Sequence, residues 1–361
     1  MADDDELLNA VMAVVPPVLT ALDVLARAAR HLHPTDLEDI VAAMAPFRAP
    51  VAQGLAAFDA VAWPDHLGGF ASAVRATADN VLKGLDGITA APTHTNPLMA
   101  AYSALRYQSR ALEGLYPLTA MLPPVSRYFL DDPQRDDGDL LDRLAQGVGP
   151  DTGVFHVAND ATERGGFSVY VPETADPGRA LPVVVAMHGG SGHGRAFLWT
   201  WLRAARSQEV ILISPTSRDR TWSLMGPDVD SDNLERMLDF VAGRQPIRRD
   251  RLLLTGMSDG GTFSYVSGLR ENSPFTHLAP VSASFHPMLL EMTTAERIRG
   301  LPVFLVHGAL DWMFPVDVAR MAEQTLRAAG AAVHYEELAD LSHTYPSELN
   351  APMLRWFLAD G

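Results

Sequence analysis

From about residue 154 onward, short apolar runs alternate with amphipathic stretches, and this alternation constrains the fold more than any other feature. The runs are rich in Val, Ile, Leu and Tyr, which favour β-strands. Segments 233–244 and 315–330 have helical apolar spacing. This order predicts a mostly parallel sheet covered by helices on both faces, with the first two strands as an antiparallel hairpin at one edge. The runs are VFHV, FSVYV, PVVVAM, VILIS, LLLTG, LAPVSAS, PVFLVHG and AVHYEEL.

The first 130 residues are different, because their apolar residues follow helical spacing throughout. We predict five or six helices there and no strand. Thr35 and Glu38 have the spacing of a capping box. Asn96 followed by Pro97 predicts another helix start, since Pro is favoured at the first helical position.

Three regions follow from these patterns. Residues 1–130 are predicted to form an all-α N-terminal domain, 131–153 an acidic linker with one short helix, and 154–361 an α/β catalytic domain.

Composition excludes several classes of function. The formal net charge is −16, which disfavours binding to nucleic acids and to anionic membranes. There is no cysteine, so disulfides, thiolate metal sites and a cysteine nucleophile are excluded. The start MADDDELL is acidic, unlike a signal peptide, and we expect a cytoplasmic protein without a membrane span.

The sequence GMSDG, residues 256–260, fits the pattern G-x-S-x-G directly after an apolar strand. A serine on a sharp strand-to-helix turn is exposed for attack, and its neighbours two positions away must be small. We therefore expect Ser258 to be a nucleophile. Gly256 and Gly260 give the turn its room. A glycine-rich loop without chemistry is the alternative.

The serine needs a base, and the base needs an orienting acid, in the order Ser, acid, His. His343 follows the last predicted strand and is the preferred base. Asp311 follows the strand PVFLVHG at the edge where open α/β sheets bind ligands, and is the preferred acid. The other histidines downstream of the serine are His277, His286, His307 and His334; the other acids considered are Asp317 and Asp340.

The loop after PVVVAM carries the oxyanion-hole candidates. Its glycines allow backbone N–H groups to face a ligand. Gly190 is the first candidate and Ser191 the second, together with the N–H of Asp259 after the nucleophile. The loop does not fit a dinucleotide-binding pattern, because Arg195 stands where the last glycine would fall.

Substrate-binding residues are sought among aromatic and polar side chains near these segments. Trp222 and Trp312 are the preferred pocket residues, with packing in the core as the alternative for such aromatics. His193 is a third candidate, with a solvated loop histidine as its alternative. Arg195, Arg218 and Arg220 are read either as carboxylate ligands or as ordinary surface charges.

With these residues in place, the region from about 154 to 361 resembles the α/β-hydrolase superfamily. It is most similar to the branch of phospholipase/carboxylesterase, dienelactone-hydrolase and polyhydroxybutyrate-depolymerase-like esterases. The resemblance implies Ser258 as nucleophile, Asp311 as acid and His343 as base, without cofactor or metal. It rests on MHGGSGHG, PTSRDRTW, LLLTGMSDGG, LVHGALDWMFPV and LADLSHTYP, in this order.

We therefore expect a serine hydrolase that cleaves small to medium acyl or aryl esters through an acyl-enzyme. A serine peptidase or amidase on the same fold is the main alternative. A non-catalytic binding protein that uses the helical domain is the second. The expected partner is a small-molecule ester, and the N-terminal helical domain is a candidate surface for homo-oligomerisation.

Overall fold

A computed structural model describes residues 4–146, 149 and 151–359 of the 361-residue chain. By internal contacts the chain divides into two compact units, Met1–Phe129 and Leu130–Gly361. Each is described by itself.

The described residues of the first unit, 4–129, form helices joined by short turns and contain no strand, as their apolar spacing predicts. Its buried face is built from residues such as Val14, Leu22, Val81 and Leu85. The α-helices are α1 (Asp4–Arg30), α2 (Leu37–Met44), α3 (Arg48–Asp59), α4 (Gly68–Ala90), α5 (Pro97–Leu115) and α6 (Pro123–Tyr128).

One of the two predicted helix starts is confirmed and the other is wrong. Helix α5 begins at Pro97, and the Asn96 side chain accepts a hydrogen bond from the Met99 N–H at 3.2 Å. Helix α2 begins at Leu37 instead of directly after Thr35. The Thr35 hydroxyl lies 2.8 Å from the His33 ring and 2.5 Å from the Asp36 carboxylate, so it does not cap the helix.

Two helical stretches of this unit, Asp4–Arg30 and Leu37–Asp59, are long and apolar enough to cross a membrane by length and composition alone. Core helices of water-soluble proteins pass the same test. This feature alone is weak evidence for a membrane span.

The second unit is built on an eight-stranded sheet within its described residues, in the order β1-β2-β4-β3-β5-β6-β7-β8. Strand β2 is antiparallel to both neighbours, and the other pairs are parallel. The predicted hairpin of the first two strands therefore lies at one edge. The strands are β1 (Gly153–Val157), β2 (Phe167–Val171), β3 (Leu181–Met187), β4 (Ile211–Pro215), β5 (Ile247–Met257), β6 (His277–Val281), β7 (Pro302–Gly308) and β8 (Ala332–Leu338).

Helices join these strands and bury their apolar sides against the sheet. A core cluster combines Val183 and Leu254 of the sheet with Leu238 and Leu326 of the helices. Because β3, β5, β6, β7 and β8 run parallel, the loops after them meet at one edge. The helices are α7 (Gly138–Leu144), α8 (Gly194–Ser207), α9 (Ser231–Ala242), α10 (Asp259–Gly268), α11 (Met288–Glu291), α12 (Ala295–Ile298), α13 (Val316–Ala328) and α14 (Asn350–Leu358).

The segment 131–153, expected to be a linker with one short helix, contains α7. Leu140 and Leu144 of this helix are buried and pack with Leu130. Internal contacts assign the segment to the second unit. Residues 147, 148 and 150 of the predicted linker lie outside the described residues.

A buried ion pair ties the end of α8 to the residues that follow β2. Arg206 Nε donates to Glu173 Oε1 at 3.0 Å, and both side chains are only 2% exposed. The Tyr170 hydroxyl donates to the other carboxylate oxygen at 2.6 Å. A charge so enclosed is tolerated only while its partner is present.

We predict that Arg206→Ala destabilises the protein by about 3–5 kcal/mol, because it removes a buried cation that donates a hydrogen bond to the Glu173 carboxylate. Urea unfolding followed by tryptophan fluorescence measures this, since five of the six tryptophans lie in the second unit. The control is Arg248→Ala, which breaks an exposed pair with Asp250 and should leave the free energy of unfolding nearly unchanged. Equal effects of the two variants would contradict the prediction.

Candidate active site

Ser258 lies at the turn between β5 and α10, as predicted. Its backbone has a positive φ of 55° with ψ −119°, a conformation that is strained for residues other than glycine. The turn is held because the Ser258 N–H donates to the carbonyl of Val281 on β6 at 2.9 Å. The hydroxyl is thereby presented at the carboxyl edge of the sheet.

The glycines on either side of Ser258 are required by close backbone contacts. A Cβ on Gly256 would lie 2.5 Å from the backbone carbon of Gly260. A Cβ on Gly260 would lie 2.5 Å from the carbonyl oxygen of His188. The steric reason expected from the pattern is therefore present at both positions, and β3, β5 and α10 meet there without side chains between them.

Ser258, His343 and Asp311 are brought together in one chain of hydrogen bonds. His343 Nε2 lies 3.0 Å from Ser258 Oγ, and His343 Nδ1 lies 2.8 Å from Asp311 Oδ2. All three residues are buried. They come from the β5–α10 turn, the loop after β7 and the loop after β8, whose strands end at the same edge.

The carboxylate of Asp311 is fixed from its other side by its own loop. Asp311 Oδ1 accepts hydrogen bonds from the N–H groups of Met313 at 2.9 Å and Phe314 at 2.8 Å. Burial raises the pKa of Asp311, but the hydrogen bonds from His343 and Phe314 outweigh it and hold that pKa below its ordinary value. Asp311 is therefore ionised where it faces the imidazole.

The other histidines and acids that were considered have different surroundings. His334 is exposed on β8 and pairs with Glu336 at 2.7 Å. His277 packs against the rings of Trp356 and Phe357. Asp317 is exposed and pairs with Arg320. His286 is exposed in the loop after β6.

The loop 188–192 lies beside the nucleophile. A Cβ on Gly189 would lie 3.5 Å from Ser258 Cβ, and one on Gly190 would lie 2.7 Å from an oxygen of the Asp259 carboxylate. The N–H of Ser191 donates to the carbonyl of Arg220 at 2.8 Å, so this second candidate is engaged in the fold. Gly190 and Asp259 remain as the oxyanion-hole candidates.

Asp259 begins α10, and its N–H belongs to the first turn of that helix, where backbone donors have no partner within the helix. Its carboxylate accepts a hydrogen bond from the Thr221 hydroxyl at 2.5 Å. The side chain therefore faces the loop after β4, while the backbone N–H is the group expected to act.

His188, which the sequence analysis did not single out, holds the loop 188–192 from inside. Its Nδ1 donates to the carbonyl of Gly189 at 2.6 Å, and its Nε2 accepts from the N–H of Ser217 at 3.2 Å. Burial lowers the pKa of His188 to about 3 despite the hydrogen bond to Gly189. The signal was present as a histidine directly before two glycines.

Arg164 is the second residue missed from sequence. Its guanidinium donates to the carbonyl of Gly192 at 2.7 Å and to the carbonyl of Ser217 at 3.1 Å. It also donates to the carbonyl of Asp219. The loops after β3 and β4 are thus joined by one side chain from the β1–β2 hairpin, which no local motif indicates.

The expectation that Trp222 binds substrate is corrected by its position. Trp222 is buried in the core and its ring stacks on that of Phe263, with centroids 5.4 Å apart. Its indole N–H donates to the carbonyl of His188 at 2.8 Å. It supports the start of the loop 188–192 from the core side and has no surface to offer a ligand.

His193 has a structural role in the fold, and its role in substrate binding stays a prediction. It is the N-cap of α8, where Nδ1 accepts from the Arg195 N–H at 3.2 Å. Nε2 donates to the carbonyl of Glu163 at 2.9 Å. Both ring nitrogens are thus used by the fold, which explains its place directly before a helix.

Trp312 is the candidate pocket residue that lies near the site. Its side chain is 43% exposed, and its ring centroid lies 6.2 Å from that of His343. The ring of Phe314 lies 5.3 Å from His343 on the same loop. The base is therefore flanked by two aromatic rings.

The arginines read as possible carboxylate ligands are at the surface or paired. Arg195 forms an ion pair with Asp160 at 2.8 Å. Arg218 and Arg220 are exposed. In the part of the chain that the structure describes, no group of three or more His, Asp or Glu side chains is arranged to hold a metal ion.

A comparison with protein families finds one match in the second unit. Residues 231–354 match the family described as phospholipase/carboxylesterase. This segment contains Ser258, Asp311 and His343. No curated protein matches the sequence significantly.

Solved structures resemble the chain only at a distance. A thermostable esterase is 19% identical with a TM-score of 0.47, over 57% of this chain and 62% of that one, so the chain spans about three fifths of its length. The serine hydrolase FphF of Staphylococcus aureus, which binds fluorophosphonates, is 15% identical with a TM-score of 0.47, over 57% and 98%. The S-formylglutathione hydrolase FrmB of the same organism is 14% identical with a TM-score of 0.46, over 58% and 100%.

These likenesses are too distant to assign an activity. The strand order, the turn at Ser258 and the family match indicate the same fold without these structures. The second unit has an α/β-hydrolase fold, and its residues 231–354 match the phospholipase/carboxylesterase family; a helical unit precedes this fold along the chain.

Proposed function

We propose that this protein hydrolyses carboxylic esters of small to medium acyl or aryl groups through a covalent acyl-enzyme on Ser258. The observation that carries the proposal is the buried chain of hydrogen bonds from Ser258 through His343 to Asp311, at 3.0 and 2.8 Å. A serine hydroxyl becomes a good nucleophile only when such a base is in place.

In the first half of the reaction, Ser258 Oγ attacks the ester carbonyl while His343 Nε2 takes the hydroxyl proton. The negative charge that forms on the carbonyl oxygen is held by the N–H groups of Gly190 and Asp259. His343 then gives its proton to the departing alcohol, which leaves the acyl group on Ser258. Asp311 stabilises the imidazolium without taking up the proton itself.

In the second half, a water molecule repeats the attack on the acyl-enzyme. His343 takes a proton from the water, and the same two N–H groups hold the second oxyanion. Ser258 Oγ leaves with that proton, so the carboxylic acid is released and the free enzyme returns.

The aromatic rings around His343 favour esters with apolar or aromatic groups. Trp312 and Phe314 flank His343, and the exposed fraction of Trp312 leaves its ring open to a ligand. Aromatic rings favour flat or apolar partners. We infer that Trp312 contacts the acyl or alcohol group of the ester.

Ser258→Ala should abolish hydrolysis of p-nitrophenyl acetate and butyrate, with a loss of kcat of roughly 10⁶-fold, because no nucleophile remains. Ser231→Ala is the matched control, since its buried hydroxyl has no hydrogen-bond partner among the residues that the structure describes and its loss should leave the rate unchanged. Esterase activity that persists in Ser258→Ala would remove Ser258 as nucleophile.

A substrate panel separates an esterase from a peptidase or amidase. We expect p-nitrophenyl esters to be cleaved at least about 100-fold faster than the matching p-nitroanilides, with kcat/KM changing along an acyl series from acetate to octanoate. Trp312→Ala should reduce the preference for apolar acyl groups more than it reduces hydrolysis of acetate. Faster cleavage of the anilides would favour the amidase alternative.

The low pKa of His188 predicts a defined dependence of stability on pH. The folded protein keeps this ring neutral down to about pH 3, whereas the unfolded chain takes up a proton below its ordinary pKa of 6.5. The free energy of unfolding should therefore fall as the pH falls from 6.5 toward 3, by up to about 1.4 kcal/mol per pH unit from this group.

Urea midpoints at pH 7 and pH 5 test this in His188→Asn, which cannot titrate. The variant should be less stable at pH 7 but should lose less stability between the two pH values than the wild type. His94→Asn, at an exposed position, is the control. If His188→Asn loses as much stability on acidification as the wild type, the neutral His188 is not the cause.

A further inference from the structure

His307 is a fully buried histidine beside the acid of the proposed triad. It lies on β7, directly before Gly308, and its side chain is 0% exposed. Its Nε2 lies 2.8 Å from the carbonyl oxygen of Phe314 and 3.5 Å from Asp311 Oδ2. None of the three reaction steps described above uses it.

The hydrogen on the ring can be placed from the partners. The Phe314 carbonyl only accepts, so Nε2 carries the hydrogen and points it between that carbonyl and the Asp311 carboxylate. Nδ1 is then an acceptor, and it has no hydrogen-bond partner among the described residues. A buried acceptor without a partner costs free energy that an apolar side chain of similar size would avoid.

The loop that carries Asp311 is held from two directions. The N–H groups of Met313 and Phe314 donate to Asp311 Oδ1, and the carbonyl of Phe314 accepts from His307. The backbone of Phe314 is therefore held on both sides, by Asp311 through its N–H and by His307 through its carbonyl. The Phe314 ring in turn packs near His343.

The charged and titratable groups around His307 come from three places. Asp311 lies on its own loop and His343 on the loop after β8. Glu337 is its register partner on β8, where Arg320 neutralises it at 2.6 Å. Asp311 is thus the nearest anion to the N–H of His307, at 3.5 Å.

We propose that His307 is a positioning residue that fixes the Asp311 carboxylate and, through it, the orientation and proton affinity of His343; this rests on the proposed function. Its N–H shares the negative charge of Asp311 Oδ2, which the imidazolium of His343 also stabilises. Without that N–H, the carboxylate holds the proton on His343 more strongly and its loop is free to shift.

The test compares three variants of the full chain with p-nitrophenyl butyrate as probe. His307→Leu keeps volume and removes the N–H; His307→Gln replaces it with an amide N–H of similar reach. His277→Leu is the control, because His277 is a strand histidine of the same sheet that packs on Trp356 and Phe357. The values of kcat, KM and the pH profile of kcat/KM are measured for each.

We expect His307→Leu to lower kcat by about 10- to 100-fold with KM within about twofold, as for a displaced catalytic group. The acidic limb of kcat/KM should move to higher pH. His307→Gln should restore most of kcat and return the acidic limb toward its original position. His277→Leu should change neither kcat nor the limb.

A normal kcat and a normal acidic limb in His307→Leu would overturn the proposal. A loss of kcat that comes without a shift of the acidic limb, and that His307→Gln does not rescue, would also overturn the proposal.

Two further measurements keep the outcome decisive. If His307→Leu does not fold, His307→Asn replaces it, since its amide is too short to reach the Phe314 carbonyl. The low-field proton resonance of the His343 Nδ1–H bound to Asp311 reports the same contact without turnover. It should shift in His307→Leu and recover in His307→Gln; an unchanged resonance would overturn the proposal. An inactive wild type, or an active Ser258→Ala, would instead refute the proposed function.

Discussion

The second unit depends on one place where three backbones touch with no side chains between them. Gly256 and Gly260 lie within contact of each other and of the carbonyl groups at the end of β3. This contact brings the turn at Ser258 and the loop 188–192 together, because any Cβ there would force β3 or α10 away. The N–H of Ser258 reaches Val281 on the next strand, so the turn is fixed on both sides. The spacing of the strands therefore sets the position of the site, and the side chains of the site act from that position.

Much of what surrounds the reacting groups serves to hold loops in place. Arg164, His188 and Trp222 all bind backbone atoms of the loops after β3 and β4. The histidine does so as a neutral ring that both donates and accepts, which burial maintains. Backbone N–H groups on loops that are held in this way need no rearrangement when charge develops on a substrate. The loop that carries Asp311 has a comparable support in Phe314, because the backbone N–H and the backbone carbonyl of this residue are both hydrogen-bonded.

Sequence predicted the fold because each strand run carries its own periodicity and each turn its own residue types. It also predicted which serine, acid and histidine would come together, since the loops after parallel strands share an edge. It did not predict the positions of Trp222 and His193. Both residues lie near the motifs along the chain, but the indole faces the core and the imidazole caps a helix. Arg164 was missed because its contacts are 28 and 53 residues away. Local patterns report periodicity and turns, whereas the direction of a side chain depends on tertiary neighbours.

Three serines at this edge have positive φ angles: Ser191 at 58°, Ser258 at 55° and Ser282 at 45°. Each such conformation costs roughly 1–3 kcal/mol for a residue with a Cβ and would be relieved by glycine. Glycine at position 258 would therefore relax the turn while removing the hydroxyl that the proposed chemistry needs. At the position of the proposed nucleophile, selection for stability and selection for activity thus oppose each other, and the rest of the unit must be stable enough to tolerate the difference.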